Sequence, residues 1–260
     1  MNTILYRGSI SFDRRPINFM DESLKSIREW FDGEIIVSTW KGQEHLITDK
    51  NLINKLIVDD DPGSGPMQSF KRQAKSFLNG IDACNGDIIA VLRPDMIFTK
   101  DMFQALPEPK TKNNGQYQIL NNRITVGNMM TIHPEAYEAN KNFRISDWVH
   151  IGKKEDLKKW CDIIDIIESE DYDGIGGTEQ AWAFSVIKKH LYPNLTVKEI
   201  GELHDHYWNF LLNNFTVLNT ISTLGLINKN WDFQPEFHPL YLTEETYNKK
   251  YNELYEDNIA

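Results

Sequence analysis

The chain of 260 residues is poor in several things, and each shortage narrows what it can be. Two cysteines, Cys84 and Cys161, lie far apart. They offer neither a disulfide framework nor a zinc-ligand pair, and a reducing cytosol is the expected compartment. No apolar run approaches the roughly 20 residues that cross a bilayer, and Met1-Asn2-Thr3-Ile4-Leu5-Tyr6-Arg7 holds no signal-peptide core. Positive charge is short as well: 28 Lys and Arg stand against 38 Asp and Glu, a net of −10. That balance argues against a protein whose main work is neutralising nucleic-acid phosphates. The sequence contains no Gly-x-x-x-x-Gly-Lys-Ser/Thr loop, no Gly-x-Gly-x-x-Gly after the first strand, no Gly-x-Ser-x-Gly elbow and no His-Glu-x-x-His helix. ATPase, dinucleotide dehydrogenase, serine hydrolase and zinc protease readings lose their best support.

What remains is ordinary globular material, 40% hydrophobic and 25% charged, with 7 Trp for a core or for stacking on rings. The first hundred residues alternate short β-rich runs with longer amphipathic patterns, which predicts an α/β protein with a mostly parallel sheet flanked by helices. Strands are expected over 3–7, 34–39, 54–58 and 87–92. Crossover helices are expected over 18–31 and 67–84, with Gly33 and Gly86 as left-handed caps. Further on, 117–130 reads as a hairpin turning at Asn121-Asn122, 154–167 as one helix, and 178–190 as another with Thr178 as its N-cap. Pro107-Glu108-Pro109-Lys110 and Lys112-Asn113-Asn114-Gly115 read as loop. Residues 1–195 form the expected main domain, and 196–260 a helical, loop-rich C-terminal extension packed on it.

In an open parallel sheet, ligands bind beyond the carboxyl ends of the strands. Here those ends are polar: Arg7-Gly8-Ser9, Ser38-Thr39-Trp40, Asp59-Asp60-Asp61-Pro62-Gly63 and Arg93-Pro94-Asp95. Converging there, they suit a nucleotide, with acids for ribose hydroxyls or a metal, Arg for phosphate and Trp40 for stacking. Gly63-Ser64-Gly65 is a weak glycine loop that reads better as a turn. His204-Asp205-His206, if on a strand, would turn both imidazoles to one face. The acidic run Glu168 to Asp173 reads as a solvated loop or helix end.

The run from Ser69 through Arg72-Gln73 to Gly80, followed by Ala83-Cys84-Asn85-Gly86-Asp87-Ile88 and a strand ending at Arg93-Pro94-Asp95, resembles the core of GT-A glycosyltransferases. More narrowly, the segment from Glu34 to Gln43, the Arg72-Gln73 helix, Arg93-Pro94-Asp95, and Ile145-Ser146-Asp147-Trp148 with Gly152 and Glu155-Asp156-Leu157 resemble the WavE type of lipopolysaccharide-synthesis protein. The resemblance spans about residues 1 to 190.

It implies a GT-A, Rossmann-like fold and transfer of a sugar from a nucleotide-activated donor to a bacterial surface glycan or lipid-linked acceptor. The work would be done at the cytosolic side of envelope-glycan assembly. An aromatic face near Trp208 and Phe210 could supply peripheral contact with the inner membrane, and core packing explains those two residues as readily. Arg7, Gly8, Thr39, Asp59, Arg72, Arg93 and Asp95 are the implied donor residues: Asp59 for base or ribose, Arg72 and Arg7 for phosphate. Asp95 would hold a divalent cation, manganese or magnesium; His206 is a further metal candidate from the His204-Asp205-His206 spacing alone, which the resemblance does not reach and which two partly exposed histidines explain as well. The Asp-x-Asp motif of that fold stands here as Arg93-Pro94-Asp95, which puts metal dependence in question and allows the guanidinium a share of the charge neutralisation. Glu179, after Gly176-Gly177-Thr178, is the expected general base, and Asp147, beside a Trp148 ring able to stack on a sugar, the second choice. An acid in a first turn also favours the helix dipole. A nucleotidyltransferase on a similar sheet and a noncatalytic nucleotide- or carbohydrate-binding scaffold are the competing readings.

Overall fold

The computed structural model describes residues 1–10, 19–63, 67–108, 115, 117–136, 142–227 and 238–255. Part of the glycine loop (Ser64, Gly65) and part of the expected loop after Pro107 (109–114) lie outside them. The first half folds as the alternation predicts: β1 (Asn2–Arg7), α1 (Phe19–Arg28), β2 (Glu34–Trp40), β3 (Lys55–Asp59), α2 (Gln68–Ala83) and β4 (Ile88–Leu92). After these come β5 (Ile97–Phe98), β6 (Ile124–Gly127), β7 (Val149–Lys153), α3 (Lys154–Cys161), α4 (Ile164–Ser169), α5 (Thr178–His190), α6 (Tyr207–Asn214), β8 (Phe215–Leu218), β9 (Leu226–Ile227) and α7 (Glu244–Tyr255).

One seven-stranded sheet runs in the order β3-β2-β1-β4-β7-β6-β8, and β5 pairs with β9 beside it. Within the large sheet β7 is antiparallel to both neighbours and the other pairings are parallel. Strand β1 lies inside the sheet, between β2 and β4, and is apolar on both faces, as a strand covered on each side must be. Leu5 turns to a core shared with Phe70, Ala74, Phe77 and Ile81 of α2. Ile4 and Tyr6 turn to the opposite core, with Met20, Leu24 and Ile27 of α1. The side-chain alternation of a strand thus assigns one helix to each face.

Helix α1 also holds down the segment after β4. Ser23 donates to the Met96 carbonyl, while Ser26 and the Trp30 indole reach the Phe98 carbonyl at 2.9 and 3.2 Å. The turn carrying Arg93-Pro94-Asp95 is therefore pinned just downstream of its functional residues.

Several local expectations fail, each for a nonlocal reason. No hairpin forms over 117–130: the backbone amides of Asn121 and Asn122 donate to the Asp156 carboxylate at 2.6 and 2.9 Å, and those of Ile119 and Leu120 to Asn214 Oδ1 at 2.8 and 2.9 Å. Only β6 remains, between β7 and β8. The expected helix over 154–167 is broken where Asp162 leaves helical geometry and Ile163 turns fully into the core. Gly177, not Thr178, caps α5. Gly33 and Gly86 are not left-handed; a side chain on Gly86 would press within 2.5 Å of Thr3 Oγ1. His204 to His206 lie in a 3-10 helix, Glu199–His206, not on a strand. The segment after 195 supplies β8 to the main sheet as well as helices.

Candidate functional site

Strand register brings three chain segments to one edge of the sheet. Leu92 lies opposite Tyr6 on one side and Val149 on the other. Because β7 runs backwards, its entry meets the exits of β1 and β4, and Arg7, Arg93 and Asp147 arrive together.

Arg93 spans the site. Its Nε and Nη2 fork onto the two oxygens of Asp95 at 3.1 and 3.0 Å, and Nη1 reaches Asp147 Oδ2 at 3.4 Å. Both carboxylates are almost wholly buried, whereas the Arg93 side chain keeps 21% exposure. Burial alone would pull this guanidinium's pKa down, and the two acids more than reverse it. Asp147 Oδ1 is buried without a hydrogen-bond partner among the described residues.

Glu179 completes the cluster from the first turn of α5. Its turn depends on Gly177, whose φ of 151° and ψ of 176° belong to a region almost closed to other residues. The loop is also tied down by Gln180, which accepts from the Gly176 amide and donates to the Asn142 carbonyl, both at 2.7 Å. A side chain added at Gly177 would sit 3.2 Å from Glu179 Oε2 and 3.5 Å from Arg144 Nη2, which places the acid and that guanidinium around the same small space. Burial and the Asp147 charge push the Glu179 carboxyl up to about 7, against the pull of Arg144 and Arg93. A carboxyl so poised changes protonation near neutrality, as a general base requires.

The structure relocates several expected donor residues. Arg7 is 1% exposed and lies beneath the site. Its Nη1 donates to Gln73 Oε1 at 2.8 Å and Nη2 to the Asp147 carbonyl at 2.6 Å, while the guanidinium stands 5.4 Å from the ring centres of Phe77 and Trp182. Burial lowers its pKa to about 10, still charged at neutrality. Arg7 is therefore a strut, not a phosphate ligand. Below it the buried His150 accepts a hydrogen bond from the Trp160 indole, and burial holds its imidazole far below the usual range.

Trp40 and Trp148 are likewise buried, so neither offers a face for stacking. Thr39 is an anchor: its hydroxyl meets Gln43, whose Oε1 also accepts from the Ile10 amide. Gly8, at φ 104°, turns the chain out of β1 with its amide on the Ser38 carbonyl.

Asp59 and Arg72 remain reachable at the β3 end. Asp59 accepts from Asn79 Nδ2 at 2.7 Å, and Arg72 forks onto Asp61 with both side chains about one-third exposed. His206 stacks on Tyr117, with ring centres 4.9 Å apart.

The residues present do not fit a resident divalent cation, because Arg93 occupies both oxygens of Asp95. Among the described residues no three His, Cys, Asp or Glu side chains gather as such an ion's ligands. At the membrane level, Phe210 is in the core and Trp208 is half-buried, its indole on Glu135. No helix among the described residues is long and apolar enough to cross a membrane.

Sequence reasoning missed Arg144 and Tyr241. The Arg144 carbonyl is held by the Ile132 amide at 3.0 Å and the Tyr207 hydroxyl at 2.8 Å. Tyr241 arrives on a late segment that bridges Ile132, and its phenol, bonded to Met130 Sδ, is raised by burial and by the Glu179 charge. The only local signal for either was an isolated charged or aromatic residue.

Among the curated proteins, none matches this chain. Two solved structures of HddC from Yersinia pseudotuberculosis, one complexed with GMP-PN, are similar at 9% identity. Their TM-scores are 0.38 and 0.37, and the matches cover 61% and 60% of this chain and 79% and 78% of theirs. A family model described as WavE lipopolysaccharide synthesis matches residues 6–259, from the end of β1 to beyond α7. With nearly its whole length matched, this chain belongs to the WavE lipopolysaccharide-synthesis family.

Proposed function

We propose that this chain is a GT-A-type glycosyltransferase that moves a sugar from a nucleotide-activated donor to a hydroxyl of a bacterial surface glycan. The carrying observation is Glu179, its carboxyl raised to about 7 beside the paired Arg93 and Asp147 at the ligand-binding edge of the sheet. In an inverting transfer, Glu179 takes the proton of the acceptor hydroxyl as that oxygen bonds to the anomeric carbon. The bond from that carbon to the phosphate oxygen breaks, and its electron pair leaves with the nucleoside diphosphate. Arg93 faces the departing charge, while Asp147 positions Arg93 and keeps the base poised. Asp59 and Arg72 serve the nucleotide, as ribose or base acceptor and as phosphate donor. Strand order and the reversed β7 support a crevice that opens between donor and acceptor halves.

Thermal unfolding with UDP, GDP, CDP and CMP tests this reading. One nucleotide should raise the midpoint by about 5 °C or more at a hundredfold excess over its Kd. The matching nucleotide sugar should then release nucleoside diphosphate, which a binding scaffold would not produce. No response to any nucleotide would remove the proposal.

Arg72→Ala gives a more local check. Its ion pair with Asp61 is open to solvent, so unfolding free energy should change by about 0.5 kcal/mol or less. Nucleotide affinity should fall about tenfold, as expected for one charge-assisted hydrogen bond. Titration calorimetry beside urea unfolding separates the two.

A further inference from the structure

We infer that Arg93 is the built-in cation of the donor site, and that the chain binds a nucleoside diphosphate without a divalent metal ion. The inference rests on the nucleotide-sugar reading above and adds how the diphosphate charge is met.

Pro94 shapes the turn that holds Arg93. The proline fixes its own backbone angle and confines Arg93 to extended geometry, so Arg93 and Asp95, two residues apart, can close a fork across the turn. The result is a positive group between two buried carboxylates, Asp95 and Asp147, at 3.0 and 3.4 Å. A hard cation would need those same oxygens. To enter, it would have to displace a two-point hydrogen bond and then stand against the guanidinium it displaced. The described residues offer no other ligand group for it.

Arg93 is also aimed correctly. A guanidinium has five N–H donors, and the two acids account for three of them. The remaining pair lies on the terminal nitrogens of a side chain that, unlike its partners, retains 21% exposure. Two N–H groups in one plane match two phosphate oxygens. A second feature points to a ligand at the same place: Asp147 Oδ1 is buried and lacks a donor among the described residues, and a hydroxyl of a bound sugar would satisfy it.

Equilibrium dialysis of the full chain against UDP, GDP and CDP, in EDTA and again in manganese, tests the inference. At least one should bind in EDTA within about threefold of its affinity in manganese. Arg93→Asp, which restores an acid before Pro94, should lose at least tenfold in EDTA. Wild-type binding at least tenfold weaker in EDTA than in manganese would overturn the inference and leave the nucleotide-sugar reading standing. So would unchanged binding by folded Arg93→Asp in EDTA. Absence of binding in both buffers would overturn the reading itself, and the inference with it. Should the variant fail to fold, as judged by circular dichroism, the wild-type comparison decides alone.

Discussion

Glu179→Gln should lose about 10²–10⁴-fold in transfer rate and, above pH 7, become harder to unfold. Both effects follow from one displaced equilibrium. The carboxyl releases its proton near 7 in the folded chain, against an ordinary value of 4.5. A raised acid binds its proton more tightly when folded, so its contribution to stability is fully present below about 4.5 and is lost as pH rises through 7. Above 7 an ionised group sits beside Asp147 in a poorly hydrated place, and the amide relieves that. The gain should be about 1–2 kcal/mol, less than the full displacement implies because the side chain keeps some contact with water. Urea unfolding at pH 5 and pH 8 should show near equality at the first and the variant ahead at the second. In the wild type, turnover should climb through pH 7 and level off. The variant should lack that limb, and a wild-type rate in Glu179→Gln would end the general-base assignment.

Arg7→Ala should produce the largest loss of stability, about 3–5 kcal/mol. Removal of the guanidinium strands the Asp147 carbonyl and Gln73 Oε1, and opens a hole between Phe77 and Trp182. Turnover of the remaining folded protein should fall as well, because the Asp147 backbone loses its strut, whereas nucleotide affinity should change little. Urea midpoints and nucleotide titration distinguish this from the phosphate role: a phosphate ligand would weaken affinity and leave stability almost untouched.

Arg7 also shows where sequence reasoning reaches its limit. An arginine at the end of a strand looks the same whether it rises into a crevice or lies in an aromatic box. Which occurs is decided by Phe77 on α2 and Trp182 on α5, residues more than a hundred positions apart that only the sheet brings together. The four parallel strands β1 to β4 and helices α1 and α2 were legible because their signal is local: apolar runs, helical spacing and turn residues. Strand β7 was not, since His150, Gly152 and Lys153 interrupt its apolar pattern. The segment 117–130 misled because its amides find Asp156 and Asn214, partners that no window of a dozen residues contains. Glu179 was legible as a position, after two glycines and at a helix start. Its displaced protonation was not, since that comes first from burial in the folded chain and then from the Asp147 charge, thirty-two positions earlier. The metal expectation met the one visible departure from the motif, Arg93, and the structure gives that departure a physical content.

Strand order also sets a schedule for synthesis. The ribosome delivers β1 to β4 and both covering helices within the first 92 residues, a parallel block with short-range connections. Strand β6 emerges next but has no neighbour until β7 follows at residue 149, and its other flank stays open until β8 at residue 215. The nascent chain thus carries a nearly finished parallel half, with Arg7 lacking both Asp147 and Trp182, while the other half of the sheet waits for β8 in the last third of translation. Products truncated before β7 should accordingly leave the apolar β4 edge unpaired and Arg7 without its Asp147 and Trp182 partners, which marks them for proteolysis.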